Sequence, residues 1–287
     1  MTMRSASVAP GPLFVYECDV AGNLDICTVP AGGGQERRLA EHPAEDLYPR
    51  WTKDGAAVLF SSERSGSWQI WEWVEGSGPR RKRESPAREW QSDPHPDGHQ
   101  IAFLSDAGGQ ESLRAGGRGA GRVLSTHGPH VVLGNPHWSP DGTHVVLSSN
   151  RGHGGHHIYV VDAASGTERR ISPLLSGACE PRFSSDGKRV AYVQRRHLSR
   201  ERSQIVEHEL WSGKQRVLVD WPALNYDPTW SPDGSELAFV SDIAGAGVQA
   251  IYRLRVTDGQ SWRVTFRYPA RHPDYRPWRI STGFDEP

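Results

Sequence analysis

The sequence predicts an all-β protein, a six-bladed β-propeller with four antiparallel strands in each blade. Three observations carry that prediction. A motif recurs at a constant long period, every copy is followed by a strand that is apolar on both faces, and the last copy supplies a strand that the first blade lacks.

The segment Asn135-Pro136-His137-Trp138-Ser139-Pro140-Asp141-Gly142 returns as Asp227-Pro228-Thr229-Trp230-Ser231-Pro232-Asp233-Gly234, and more loosely at 48–55, 91–98 and 180–187. The closing glycines stand at 55, 98, 142, 187 and 234, spacings of 43 to 47 residues that fit a propeller blade and no shorter solenoid repeat. Within a copy, Ser-Pro-Asp-Gly reads as a hairpin turn: Pro presets φ, Asp bonds back to the backbone and Gly accepts the positive φ that ends the turn.

The strand after each turn reads Val58-Leu59-Phe60, Ala102-Phe103-Leu104, Val145-Val146-Leu147, Val190-Ala191-Tyr192 or Leu237-Ala238-Phe239. Strands without alternation need cover on both faces, which neighbouring blades supply. A third strand follows, as in Ile158-Tyr159-Val160, and then a basic edge strand such as Glu168-Arg169-Arg170. The N-terminal blade opens directly on its second strand, Leu13-Phe14-Val15-Tyr16. His272-Pro273-Asp274-Tyr275-Arg276-Pro277 provides the missing first strand, so both termini build one blade and close the ring. The expected organisation is a flexible segment at 1–12, a single propeller domain at 13–279 and a tail at 280–287.

Composition narrows the function less than the fold. With 33 Lys+Arg against 34 Asp+Glu, no global field favours nucleic acid or an anionic membrane. No apolar run approaches a bilayer span and the first 19 residues hold no secretory core, so a cytoplasmic address is expected. Cys18, Cys27 and Cys179 have no metal-type spacing and read as buried thiols. All but four of the basic residues are Arg. Two basic clusters, 80–83 and 195–202, read as edge-strand charge and as a long loop able to contact a partner.

At the residues Pro-x-Trp-Ser-Pro-Asp-Gly, followed by an apolar strand and an Ile-Tyr pair, the chain resembles the TolB-type propellers, a repeat family also found in tricorn and dipeptidyl-peptidase relatives. The resemblance covers about 13–279. It implies the propeller fold and recognition of a peptide, protein segment or small polar ligand at the channel. The secretion signal and smaller N-terminal domain of TolB itself are not seen in this sequence, and no Gly-x-Ser-x-Gly nucleophile elbow of the peptidase relatives appears.

The first strand of each blade lines the channel. The residues before the motif proline, Tyr48, Gln91, Asn135, Glu180, Asp227 and His272, form a polar ring, and two positions on come Arg50, Asp93, His137, Arg182, Thr229 and Asp274. The expected ligand site is this mouth, on the face of the loops that lead into the first strands: Tyr48, Arg50, Gln91, Asn135, His137, Glu180, Arg182, Asp227 and His272. Glu180, Asp227, His137 and His272 are the candidate ligands for a divalent cation (Ca, Mn or Zn), which would suit a metal-dependent lyase or hydrolase as the alternative function. In either case Glu180→Ala and His272→Ala are expected to leave stability nearly unchanged. Trp51, Trp138 and Trp230 are assigned to packing between blades, Trp90, Trp221 and Tyr226 to the binding face, and His153, His156 and His157 to a Gly-rich turn. The expected state is a monomer that binds no nucleic acid and no membrane.

Overall fold

The computed structural model describes residues 12–277 apart from 153–154, 175, 196–200 and 246. The terminal segments, residue 12 excepted, and positions 196–200 of the second basic cluster lie outside the described residues. The regular structure described is 24 strands in six four-stranded antiparallel sheets. Blade 2 runs β4 (Asp46–Trp51), β5 (Ala57–Ser62), β6 (Gln69–Val74), β7 (Gly78–Arg81), and blade 3 runs β8 (Glu89–Pro94), β9 (Ile101–Ser105), β10 (Ser112–Gly116), β11 (Arg122–Thr126). Blade 4 is β12 (Leu133–Trp138), β13 (His144–Ser149), β14 (His157–Asp162), β15 (Glu168–Arg170), and blade 5 is β16 (Ala178–Phe183), β17 (Arg189–Arg195), β18 (Ser203–Glu209), β19 (Gln215–Val219). Blade 6 is β20 (Asn225–Trp230), β21 (Glu236–Ser241), β22 (Ala250–Arg255), β23 (Ser261–Arg263). Blade 1 joins the two ends of the chain in the order β24 (Ala270–Tyr275), β1 (Leu13–Val20), β2 (Asn23–Pro30), β3 (Arg37–Ala40), with Phe14 opposite Tyr275 and Cys18 opposite Ala270.

The second strands are buried along their whole apolar run because each blade is sandwiched between two others. The core is therefore a ring of six seams. Phe14, Tyr16 and Val29 meet Val240 and Ile251 between blades 1 and 6, whereas only Leu59, Ile70, Ile101 and Phe103 fill the seam between blades 2 and 3. The turns are built as their sequence predicts: Ser139 Oγ donates to Asp141 Oδ1 at 2.6 Å, and Ser231 Oγ to Asp233 Oδ1 at 2.6 Å. Trp51, Trp138 and Trp230 are buried.

Two local expectations are corrected. Cys18 and Cys27 are joined by a disulfide across the β1–β2 hairpin, with Cα atoms 5.8 Å apart, so only Cys179 remains a thiol. Neighbouring antiparallel strands place two cysteines within bridging distance, which spacing along the chain does not reveal. Arg83, read as edge-strand charge, is buried at the thin seam instead. Its Nε donates to Glu89 Oε2 at 2.9 Å, its guanidinium lies 4.2 Å from the Phe103 ring centroid, and it donates to the Gly116 and Gly119 carbonyls.

Candidate functional site

Every inner strand contains a bulge at the motif. Pairing slips between Leu47 and Arg50, Trp90 and Asp93, Gly134 and His137, Cys179 and Arg182, and Tyr226 and Thr229, and opposite Val15 and Glu17 in β24. The residue opening each bulge has a left-handed backbone: Tyr48 at φ 56°, Gln91 at 50°, Asn135 at 52°, Glu180 at 56°, Asp227 at 51° and His272 at 47°. In five of the six the next residue is proline, which has no N–H for the ladder and is tolerated within sheets at such bulges.

The twist directs the N–H of the ring residue at the preceding blade. Gln91 Oε1 accepts from Asn135 N at 2.6 Å, Glu180 Oε2 from Asp227 N at 2.6 Å and Asp227 Oδ2 from His272 N at 3.0 Å. Ser61 Oγ accepts from Gln91 N at 2.9 Å and Glu17 Oε1 from Tyr48 N at 2.6 Å. Five of the six left-handed ring residues are thus latched through their N–H to a side chain of the preceding blade, three of those side chains being ring residues themselves. Against the expectation of near-neutral substitutions, the Glu180 side chain satisfies the buried Asp227 N–H and the His272 ring lies between two buried carboxylates, so both have structural partners to lose.

Charge concentrates where blades 6, 1 and 2 meet. His272 Nδ1 lies 2.9 Å from Glu17 Oε1 and its Nε2 lies 3.1 Å from Asp227 Oδ1. Burial opposes charging this imidazole, but the carboxylates of Asp227 and Glu17 outweigh it and raise its pKa. Burial and the adjacent Asp227 push the Glu180 carboxyl up to about 7. Arg271 stands 3.8 Å from Asp227 and over the Tyr226 ring at 5.6 Å.

The second tier lies at the other end of the inner strands. Asp93 Oδ2 accepts from Trp138 N and Asp274 Oδ2 from Trp51 N, each at 2.9 Å, and His137 Nδ1 accepts from Phe183 N at 3.2 Å. Burial holds the His137 pKa far below its usual value, so the ring is a neutral acceptor. Around these groups is a cavity of about 240 Å³ to which all six blades contribute. Its walls are Trp51, Trp138, Phe183, Trp230 and Tyr275, its polar lining includes Asp93, His137, Arg182, Thr229 and Asp274, and Lys53 stands at the rim. Because Pro140, Ser185 and Pro232 of the motif turns also line it, the cavity opens on the turn face, opposite the face expected from the loops.

The nine expected site residues consequently divide. Tyr48, Gln91, Asn135, Glu180, Asp227 and His272 form the latch ring, while Arg50, His137 and Arg182 belong to the tier beside the cavity. The four candidate metal ligands fall in different tiers, and among the described residues no group of three or more His, Cys, Asp or Glu is arranged to hold a metal ion. On the loop face, Trp90 shares a hollow of about 340 Å³ with Tyr48, Trp68 and Gln91 between blades 2 and 3. Trp221 instead covers the core, its ring centroid 5.0 Å from that of Phe239. Within 151–157, positions 153–154 lie outside the described residues, and His157 is buried at the start of β14. Glu17 and Lys53 were not expected. A carboxylate inside the apolar run Phe14-Val15-Tyr16-Glu17-Cys18 was the available signal, since a buried charge needs a partner.

No family model matches the chain. An uncharacterized protein of Agrobacterium fabrum is 29% identical over 145 residues, 46% of this chain and 49% of that protein, so the match spans about half the length of that relative. Among solved structures, TolB from Acinetobacter baumannii superposes with a TM-score of 0.76 at 18% identity, covering 93% of this chain and 67% of that one. An oligogalacturonate lyase in complex with manganese superposes with a TM-score of 0.60 at 14% identity, covering 88% of this chain and 73% of that one. Six four-stranded blades, closed through β24 and β1, and the superposition on TolB give this chain the fold of the TolB-type six-bladed propeller.

Proposed function

We propose that the protein is a recognition module whose ligand, a small polar molecule or the end of a peptide, enters the central cavity on the turn face. The observation that carries this reading is the cavity itself: one space lined by all six blades, with aromatic and proline walls and a few convergent polar groups. Its volume of about 240 Å³ suits a small molecule or one terminal residue. Among the described residues, the separation of Glu180, Asp227 and His272 from His137 gives the lyase alternative no assembled metal site.

The test is a thermal-shift screen of small polar compounds and dipeptides against the wild type and Ser185→Trp, which places an indole on an exposed residue of the rim. Compounds that raise the wild-type Tm should lose their effect in Ser185→Trp. Equal shifts in both proteins, or none in the wild type, would overturn the reading.

A further inference from the structure

Arg50 and Arg182 occupy the same position of the repeat in blades 2 and 5, and each donates from Nη1 to the carbonyl of the proline before it, at 2.7 and 2.9 Å. Their surroundings then diverge. The matching position one blade on from Arg50 is Asp93, whose carboxylate lies 3.8 Å away, and Asp274 of blade 1 also feels the Arg50 charge. One blade on from Arg182 the same position is Thr229, which carries no charge.

Arg182 is 4% exposed, lines the cavity, has no carboxylate within ion-pair distance among the described residues, and its Nε has no hydrogen-bond partner. A guanidinium buried without a counter-charge is costly to fold. Trp51, Trp138 and Trp230 also line the cavity, and their indole N–H groups are buried without partners. The two acids of the lining are already engaged, Asp93 and Asp274 each accepting a backbone N–H and facing Arg50. Lys53 at the rim adds a second cation along the way in.

We infer that the cavity is a carboxylate site: Arg182 takes the carboxylate of a small organic acid whose apolar body lies against Trp138, Phe183 and Trp230, with Lys53 drawing it in. This rests on the cavity being the ligand site. The planar guanidinium fork matches a carboxylate, and the apolar wall excludes the water that would screen the pair. An ionic hydrogen bond of this kind corresponds to about ten- to hundredfold in affinity.

The experiment titrates the full chain with acetate, benzoate and phenylacetate and with the neutral amide of each, by calorimetry, for the wild type, Arg182→Gln and Lys53→Gln. At least one acid should bind about tenfold or more tightly than its amide, and Arg182→Gln should erase that preference while leaving Tm unchanged or raised, since it removes an unpaired buried charge. Lys53→Gln should weaken acid binding and leave amide binding alone. Should acids and amides bind alike, or the preference survive in Arg182→Gln, the carboxylate assignment falls while the cavity remains the ligand site. If none of the six compounds binds, the assignment also falls, and the Ser185→Trp screen decides separately whether the cavity binds anything.

Discussion

The His272 imidazole and the Glu17 carboxylate lie 2.9 Å apart in the interior, although one belongs to the last strand of the chain and the other to the first. With Asp227 on its other side, His272 ties β24 to β1 and to blade 6 at the point where the ring closes. Closure is therefore held by a charged contact as well as by the strand ladder.

That contact makes stability fall as pH rises. His272 binds its proton more tightly in the folded chain, so its contribution is complete below the unfolded pKa of about 6.5 and is lost as pH climbs through the raised folded value. Glu180, raised to about 7, acts in the same direction above its unfolded pKa. His137, whose pKa burial lowers, opposes this below pH 6.5, so the informative measurement is a difference. Glu180→Gln keeps an acceptor for the Asp227 N–H. It should melt higher than the wild type at pH 8 and show a flatter Tm profile between pH 5 and 8. Parallel profiles would mean that Glu180 does not titrate in this range.

Arg83 and Glu89 form a buried pair at the thinnest seam. Arg83→Met strands the Glu89 carboxylate and should cost about 3–5 kcal/mol in urea unfolding, whereas Arg83→Met with Glu89→Leu should recover most of that loss. A double variant as unstable as the sum of the single ones would show that the guanidinium holds the seam through the Gly116 and Gly119 carbonyls instead.

Gly142 has φ +72°, and a Cβ placed there would run into the His95 ring of the adjoining blade, which stands edge-on to Trp138. Gly98 has φ +74° and open space around it. Gly98→Ala should therefore cost only the backbone penalty of about 1–2 kcal/mol, and Gly142→Ala at least about 1 kcal/mol more. Equal losses in thermal melts would mean that His95 swings aside.

The Cys18–Cys27 disulfide closes a short hairpin, and reduction should lower stability by about 2–3 kcal/mol on the chain-entropy view. Thiol labelling of the unreduced, denatured chain should detect one reactive cysteine, Cys179. Three labelled cysteines would disprove the bridge.

The propeller was legible in the sequence because its determinants are local and repeated. Ser139-Pro140-Asp141-Gly142 specifies its turn through its own side chains, and Val145-Val146-Leu147 demands cover on both faces wherever it lies. The inward position of the ring residues followed from the same register, but their work as latches did not, because it depends on an N–H turned out by the bulge toward another blade.

The blade, the number of blades and their closure through His272–Tyr275 and Leu13–Val20 are thus written in the chain itself. That Arg83 is a buried pin rather than edge charge, that Cys18 and Cys27 meet, that the shared cavity opens on the turn face and that Arg182 lacks the acid Arg50 has emerge only once the blades pack together. The reason is physical: the partners of Arg83 at Gly116 and Gly119 and the neighbours of Arg182 come from adjoining blades, and burial and pairing are set by what the next blade presents rather than by the residue's own segment.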